Sequence, residues 1–542
     1  VSSSKFRTQF ALDFEDEIRV DLFAGGGGAS TGTEMGTNMP VDIAINHDPD
    51  AISMHQLNHP HTKHYISDVY EVDPIAACEG RAVGHLHASP DCTHHSQASG
   101  GQPRDKATRS LSWVVHKWAG KVKPRLITLE NVEQILNWSP LVAKRCKNTG
   151  RVITLEKIKC QKSGKTINRV AAPGERVPLA NQYLIPNKNK KGHNWDHFVQ
   201  GLRDMGYAVQ WKVIPASNFG APTTRERLFL IARCDGQAIV WPKPTHAKNP
   251  VKGQQKWRTA AECIDFSIPC QSIFGRKRPL AEATMQRIAK GIQKYVFDTD
   301  KPYIVDQSVM PFITECANAS HQRNMPADEP VRTICATVKG GHFGLITANM
   351  LQLRGNCDAR SADDPLMTIS AGGTHHGLVT AFLSRQFGNS IGQRCDQPAP
   401  TITPGGGGKT ALVELELSKE QKDGALRCAA FLLQYYSEGG QWSSLHNPTN
   451  TITTKERLAL VTVWISGDPY VIVDIRMRML QPRELYRAQG FPDNYIIDQG
   501  HDGRKFTKTQ QVRFVGNSVS PLPMAAIVAA NYKPYSAMLE AV

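Results

Sequence analysis

A strand-like run that feeds directly into four consecutive glycines constrains this chain more than any other feature. Arg19-Val20-Asp21-Leu22-Phe23 is followed by Ala24 and then by Gly25-Gly26-Gly27-Gly28. A strand that ends in a glycine turn and gives way to a helix opens a strand–helix–strand unit. The first 245 residues continue that alternation. Strands are predicted at 19–23, 41–46, 84–88, 126–129, 208–214 and 228–232, with helices from residue 51 and over 195–205. The pattern predicts an α/β fold with a parallel sheet and crossover connections. Loops at the carboxyl edge of such a sheet bind ligands. The glycine turn, Cys92 and Glu130 each follow a predicted strand, so all three can converge on one cleft.

Bulk properties narrow the class. At 542 residues and 40% apolar content, the chain can bury a large core and divide into two or three domains. No run approaches the roughly 18 apolar residues of a membrane span. The first 13 residues are polar and mixed, which predicts no signal peptide and a cytoplasmic protein. Twelve cysteines are scattered with no pair at C-x-x-C spacing, so neither a disulfide framework nor a structural metal site is expected. The net charge of +15 favours a polyanionic partner. Residues 141–192 hold 13 Lys and Arg against two acids, a local net of +11. This basic insertion reads either as a solvated surface loop or as a phosphate-contacting element with salt-dependent binding.

Residues 246–480 carry an internal repeat. Pro330-Val331-Arg332-Thr333-Ile334 recurs as Pro365-Leu366-Met367-Thr368-Ile369, as Pro398-Ala399-Pro400-Thr401-Ile402 and as Pro448-Thr449-Asn450-Thr451-Ile452. The copies are spaced by 35, 33 and 50 residues. Each continues through a turn to an apolar pair, namely Leu345-Ile346, Leu378-Val379, Leu412-Val413 and Leu460-Val461. Repeated hairpins are predicted, with function placed in turns such as 339–343, 372–376 and 405–409. Helical character returns after Gln481, with helices expected at 482–489 and 523–531 and a turn at 514–519. The chain end would then pack back on the first domain. The domains expected are 1–245, 246–480 and 481–542.

The chemistry-bearing residues fall in a fixed order. Cys92 lies in Ser89-Pro90-Asp91-Cys92-Thr93, followed by the polar run His94-His95-Ser96-Gln97. A cysteine in an exposed polar loop is a candidate nucleophile, because the reactive form is the thiolate. Glu130 opens Glu130-Asn131-Val132 and can hydrogen-bond a ring nitrogen; Arg227, in Arg225-Glu226-Arg227, can hold a ring carbonyl oxygen. Together they point to covalent chemistry on a flat, electron-poor ring. The glycine turn lets a cofactor approach the backbone, and the absence of a G-K-[ST] sequence disfavours phosphate cradling. Asn46, with His47 and Asp48 after it, occupies the strand end that usually accepts hydrogen bonds from a ribose. Asp68 can accept from an adenine amino group, although an Asp in that setting is commonly a turn residue.

In the combination of these blocks the chain resembles the DNA cytosine-5 methyltransferases. The resemblance runs through residues 19–46, 67–69, 89–96, 126–132, 195–232 and 482–530, in the family's own order. The wording Ala88-Ser89-Pro90-Asp91-Cys92-Thr93-His94-His95-Ser96 looks like a branch common in phages and prophages. The resemblance implies a Rossmann-like domain dependent on S-adenosylmethionine, with a large, mostly β target-recognition domain. It implies transfer of a methyl group to C5 of a flipped cytosine in double-stranded DNA through a covalent cysteine adduct, in a monomer, with no metal or membrane, in a bacterial or phage-infected cell. It also associates the chain with restriction–modification. By resemblance, the catalytic residues are Cys92, Glu130, Arg225 and Arg227. The cofactor residues are Phe23, Ala24, Gly25, Gly26, Gly28, Asn46, His47, Asp68, Asn517 and Val519.

Four positions depart from the family pattern. Asp91 replaces a proline, Thr93 a glutamine, Thr223 the first residue of Q-x-R-x-R, and Asn46 a glutamate. The departures at Asp91, Thr93 and Asn46 motivate a second reading, a DNA-binding protein with a weakened catalytic site. An RNA cytosine-5 methyltransferase is a third, opposed by the 235 residues between 246 and 480.

Overall fold

The protein is described by a computed structural model covering residues 17–91, 110–159, 164, 166–280, 282–292, 309–316, 324–331, 342–352, 378–385, 393–394, 410–417, 427–428, 462–465 and 468–533. Cys92 with its following loop, the Thr-Ile segments of all four repeats, and most of the residues in their turns lie outside the described residues.

Contacts divide the chain into two units. One comprises Val1–Ile264, Glu329–Gly341 and Gln481–Val542, the other Asp265–Asp328 and His342–Leu480. The first unit is built on seven strands: β1 (Ile18–Leu22), β2 (Ile43–Asn46), β3 (Lys63–Ile66), β4 (Val83–Ala88), β5 (Leu126–Asn131), β6 (Ala208–Pro215) and β7 (Glu226–Arg233). Their order across the sheet is β6-β7-β5-β4-β1-β2-β3. The chain builds outward from β1 to β2 and β3, then crosses back to place β4 and β5 on the other side. β1 and β4 therefore flank the topological switch point, where an open α/β sheet leaves a ligand crevice.

The sheet is mixed, whereas the sequence predicted a parallel one. β5, β4, β1, β2 and β3 run parallel, but β7 pairs antiparallel with both β5 and β6. The reason is the β6–β7 connection. It contains only the short 3-10 turn Ala216–Phe219 and a few further residues, too little chain for a crossover helix.

The central strands β1, β4 and β5 are buried along their whole length. Helices cover both of their faces. On one face α4 (Val114–Val122) and α5 (His193–Asp204) bring Trp118, Trp195 and Phe198 onto Ile127, Leu129 and Leu228. On the other, α8 (Pro521–Asn531) brings Met524, Ile527 and Val528 onto Leu126, Phe229 and Ile231. Adjacent residues of one strand thus enter opposite core layers, as period-2 geometry demands.

The C-terminal segment closes the unit. Helix α6 (Pro482–Gln489) begins at a proline with a Gln481–Glu484 capping box. Helix α7 (Lys508–Asn517) extends through residues predicted to form a turn; only Ser518 to Ser520 break the path into α8. Lys508–Asn531 is the one stretch, among the described residues, long and apolar enough to pass a membrane-span test by composition, and its apolar side is largely buried. Helix α8 lies on α1 (Gly28–Thr37), the helix that follows the glycine turn. Gly28, Gly32 and Gly36 recur every four residues, so they share one face of α1. A Cβ on Gly32 would lie 2.6 Å from the Pro521 carbonyl oxygen, and one on Gly36 would lie 2.5 Å from that of Ala525. Hydrogen bonds from Ser53 to Asp502 and from Gln510 to Asp50 fasten α2 (Pro49–Asn58) to the same C-terminal segment.

In the second unit, His342–Gln352 pairs antiparallel with Val309–Cys316 on one side and Asp468–Met479 on the other. Both edges of the strand carrying Leu345-Ile346 are filled by these two strands, and Thr333-Ile334, its predicted hairpin partner, lies outside the described residues. Leu378–Arg385 and Thr410–Leu417, which carry the Leu-Val pairs of the second and third copies, pair with each other.

Candidate active site

The glycine turn sits at the carboxyl end of β1. Phe23 adopts a left-handed backbone, with φ of 65°, and its carbonyl accepts from the Gly25 N–H at 2.6 Å. The Ala24 N–H donates to the Ile45 carbonyl, which ties the turn to β2. The four glycines then divide by task. A Cβ on Gly26 would lie 2.8 Å from the Phe514 carbonyl oxygen, and one on Gly28 would overlap that of Val519. A Cβ on Gly25 would meet nothing closer than the Phe23 oxygen at 3.8 Å. Gly26 and Gly28 are therefore required by packing against the C-terminal segment, and Gly25 is the glycine that faces open space.

That space is a small cleft between the turn, Ser89 and the α7–α8 connection, lined by Phe23, Ala24, Gly25, Gly28, Asn517 and Val519 among others. Two residues overlooked by the sequence reading complete its frame. Ser518 Oγ accepts from the Gly28 N–H at 3.1 Å, and the buried Tyr495 hydroxyl donates to the Gly26 carbonyl at 3.1 Å. Both act across more than 460 residues of chain, so no local motif announces them. Asp21 also lines the cleft. Burial pushes its carboxyl up to about 7; Oδ2 accepts from Ser30 Oγ at 2.7 Å, while Oδ1 has no partner.

The other predicted cofactor residues lie at neighbouring strand ends. Asn46 ends β2, and its Oδ1 accepts from the Asp48 N–H at 2.8 Å. His47 is exposed. Asp48 caps α2 and accepts from Arg513 at 2.8 Å. Asp68 is exposed and accepts from the Tyr70 N–H at 2.9 Å, which makes it a turn residue with one oxygen left over. None of these side chains lines the cleft beside Gly25.

A second cluster surrounds the segment leading to Cys92. Glu130 and Asn131 lie inside β5, which runs two residues further than predicted. The Asn131 amide donates to the Pro90 carbonyl at 3.0 Å, and its Oδ1 accepts from the Val132 N–H at 2.9 Å. Asn131 is thus a buried clamp on the residue two before Cys92. Arg227, opposite Ile214 near the start of β7, reaches across to β5, where its Nε lies 3.1 Å from Glu130 Oε1. Both side chains are nearly buried, at 12% and 9% exposure, so the pair is shielded from solvent. A carboxylate and a guanidinium side by side offer an acceptor and a donor to the edge of a planar ring.

Arg225 takes a different task from the one expected of it. It is buried, and its two terminal nitrogens donate to the carbonyls of Gly516 and Ser518, each at 3.1 Å. Arg225 lies just before β7, which begins at Glu226, and its side chain is committed to the α7–α8 connection while Arg227 faces β5. Arg225 fixes the turn that closes the glycine-lined cleft. Thr223 is also buried and accepts from the Arg225 N–H at 3.2 Å, a backbone-supporting role that a hydroxyl fills well.

Comparison with known proteins bears on these clusters. The chain matches the family model described as C-5 cytosine-specific DNA methylase over residues 18–147, 185–300 and 407–533. It is 23% identical to the type II methyltransferase M.SacI of Streptomyces achromogenes, across 42% of this chain and 50% of that protein. It is 22% identical to M.AquIA of Picosynechococcus sp., across 42% of this chain and 76% of that one. Its matched part thus spans about half the length of M.SacI. Among solved structures it is similar to the Dnmt2 methyltransferase of S. pombe, with 12% identity, 95% and 97% of the two chains covered and a TM-score of 0.42. The family match extends over more than half of the residues and takes in the glycine turn, the Glu130 strand and the Arg225–Arg227 strand. This chain belongs to the C-5 cytosine-specific DNA methylase family.

Proposed function

We infer that the protein transfers a methyl group from S-adenosylmethionine to C5 of a cytosine in double-stranded DNA. The observation that carries this reading is the shielded Glu130–Arg227 pair beside Asn131, which anchors Pro90 two residues before Cys92. The cleft fits the cofactor. Gly25 leaves room for a ligand against the backbone, and the unpartnered Asp21 oxygen suits a ligand carrying a positive centre. Phe23, Gly25, Asn517 and Val519 would hold it, and when bound it supplies an electrophilic methyl group on a sulfonium.

The chain's own residues do the rest. A base inside a duplex is out of reach, so the target must be extruded at a cost of a few kcal/mol. The Cys92 thiolate adds to C6, forming a carbon–sulfur bond and driving the electron pair toward C5. Glu130 bonds N3 and the exocyclic amine, and Arg227 bonds the ring oxygen; both stabilise the charge that develops as the ring loses aromaticity. C5 then takes the methyl group. Loss of the C5 proton to solvent or a base and elimination of Cys92 regenerate enzyme and methylated DNA.

The test is transfer of tritiated methyl groups to mixed-sequence DNA. The expected result is turnover by the unaltered protein and none by Cys92→Ala. Unchanged methylation by Cys92→Ala would remove the assignment.

A further inference from the structure

The basic insertion between β5 and α5 stands outside everything assigned so far. The family model passes over residues 148–184. The insertion is nevertheless firmly rooted in the catalytic unit. It leaves and re-enters through one point, where the Asn187 N–H donates to the Pro140 carbonyl at 2.9 Å and the Asn194 N–H to that of Trp138 at 3.0 Å. Trp138 is itself buried beside Trp113 and Phe198. The root lies a few residues beyond Glu130 on the same chain path.

From that root a two-stranded antiparallel ribbon projects, Ile153–Lys159 paired with Thr166–Val170. The seven-residue strand has a reach of about 23 Å. Its register places Lys157 opposite Asn168 and Lys159 opposite Thr166, so these four share one face. The other face carries Ile158, Ile167, Glu156 and Arg169. Arg169 bonds Glu156 at 2.5 Å and Glu175 through both of its terminal nitrogens at 2.8 Å. These are the two acids of the insertion, and a single guanidinium consumes both. Lys147, Lys157, Lys159, Arg176, Lys188, Lys190 and Lys191 are exposed, and no carboxylate pairs with them among the described residues. A surface arranged only for solubility would intersperse both signs. This one offers donors without acceptors.

We propose that the ribbon binds the phosphate backbone of duplex DNA flanking the base being methylated. The proposal rests on the DNA methyltransferase reading above. Contacts of this kind position the enzyme and add sequence-independent affinity, without reading bases. Each neutralised phosphate adds about 0.9 to the slope of log affinity against log salt.

The experiment compares the unaltered chain with a Lys157→Gln, Lys159→Gln variant, both substitutions on one face of the ribbon. Fluorescence anisotropy on a mixed-sequence 40-base-pair duplex is read from low to high KCl. The salt slope should fall in magnitude by about 2, while single-turnover methyl transfer at saturating DNA stays unchanged. The corresponding Lys→Arg variant should restore the slope. An unchanged slope in the Gln variant overturns the proposal, as does a loss confined to a duplex RNA competitor. Absence of methyl transfer by the unaltered chain would instead overturn the catalytic reading, and the slope comparison would still report on the ribbon.

Discussion

At the scale of single residues, Arg225, just before β7, and Arg227, within it, separate by function. Arg227 shares a shielded site with Glu130, and its removal takes a donor from the developing charge. Arg227→Ala should lower kcat by roughly 10²–10³-fold, the usual cost of one preorganised donor. Arg225→Lys should act instead on the cofactor side, raising KM for S-adenosylmethionine, because one ammonium cannot hold the Gly516 and Ser518 carbonyls in fork geometry. Steady-state kinetics with each substrate varied separately checks both, and identical profiles for the two variants would contradict the division. Asn131→Ala leaves the buried Pro90 carbonyl without its donor, at a cost of about 1–3 kcal/mol. Its expected signature is a fall in kcat with cofactor affinity, measured by calorimetry, unaltered.

At the scale of elements, the face of α1 made by Gly28, Gly32 and Gly36 sets how closely α8 can approach. Gly36→Ala places a methyl 2.5 Å from the Ala525 oxygen. Overpacking of this kind costs roughly 1–3 kcal/mol and outweighs the gain in helix propensity of about 1 kcal/mol. The thermal midpoint should therefore fall; a rise would show that α8 yields easily. Elements also show what the sequence made legible. Strands β1, β4 and β5 were readable because each carries apolar residues such as Val20, Leu22, Leu86, Ile127 and Leu129 next to a turn or motif that marks its end. β3, Lys-His-Tyr-Ile, was missed because it is a partly exposed edge with no alternation. The last turn of α7 was read as irregular because Gly516 and Asn517 suit loops equally well. The glycine turn, Glu130 and Arg227 were readable because each follows or opens a strand. Ser518, Tyr495 and the clamp made by Asn131 were not, since long-range hydrogen bonds to backbone leave no pattern in neighbouring residues.

At the scale of the whole molecule, buried histidines govern the response to acid. His55, His85 and His87 are enclosed, and desolvation holds all three below the ordinary range, His87 to about 3. His85 and His87 share the Thr128 hydroxyl at 2.9 Å, and His55 contacts Ser30 at 2.9 Å. A histidine kept neutral by folding binds fewer protons than in the unfolded chain, so stability is lost as pH falls below about 6.5. Asp21 opposes this, because its raised value near 7 makes the folded state bind a proton first, and its contribution fades as pH rises toward 7. At pH 5.5 the loss from the histidines exceeds the return from Asp21, so stability falls relative to neutral pH. Urea unfolding at pH 7.5 and 5.5 should show that loss; equal midpoints would mean that these groups titrate normally in the fold.

Trapping on a fluorinated substrate tests the central claim most directly. A duplex with one strand built entirely with 5-fluorocytosine presents the modified base in every sequence context, and fluorine at C5 blocks the elimination that frees the enzyme. With S-adenosylmethionine bound, the account predicts a denaturation-resistant protein–DNA adduct that peptide mapping places on Cys92 and that Cys92→Ala abolishes. Cofactor uptake without any adduct, or an adduct on another residue, would contradict it.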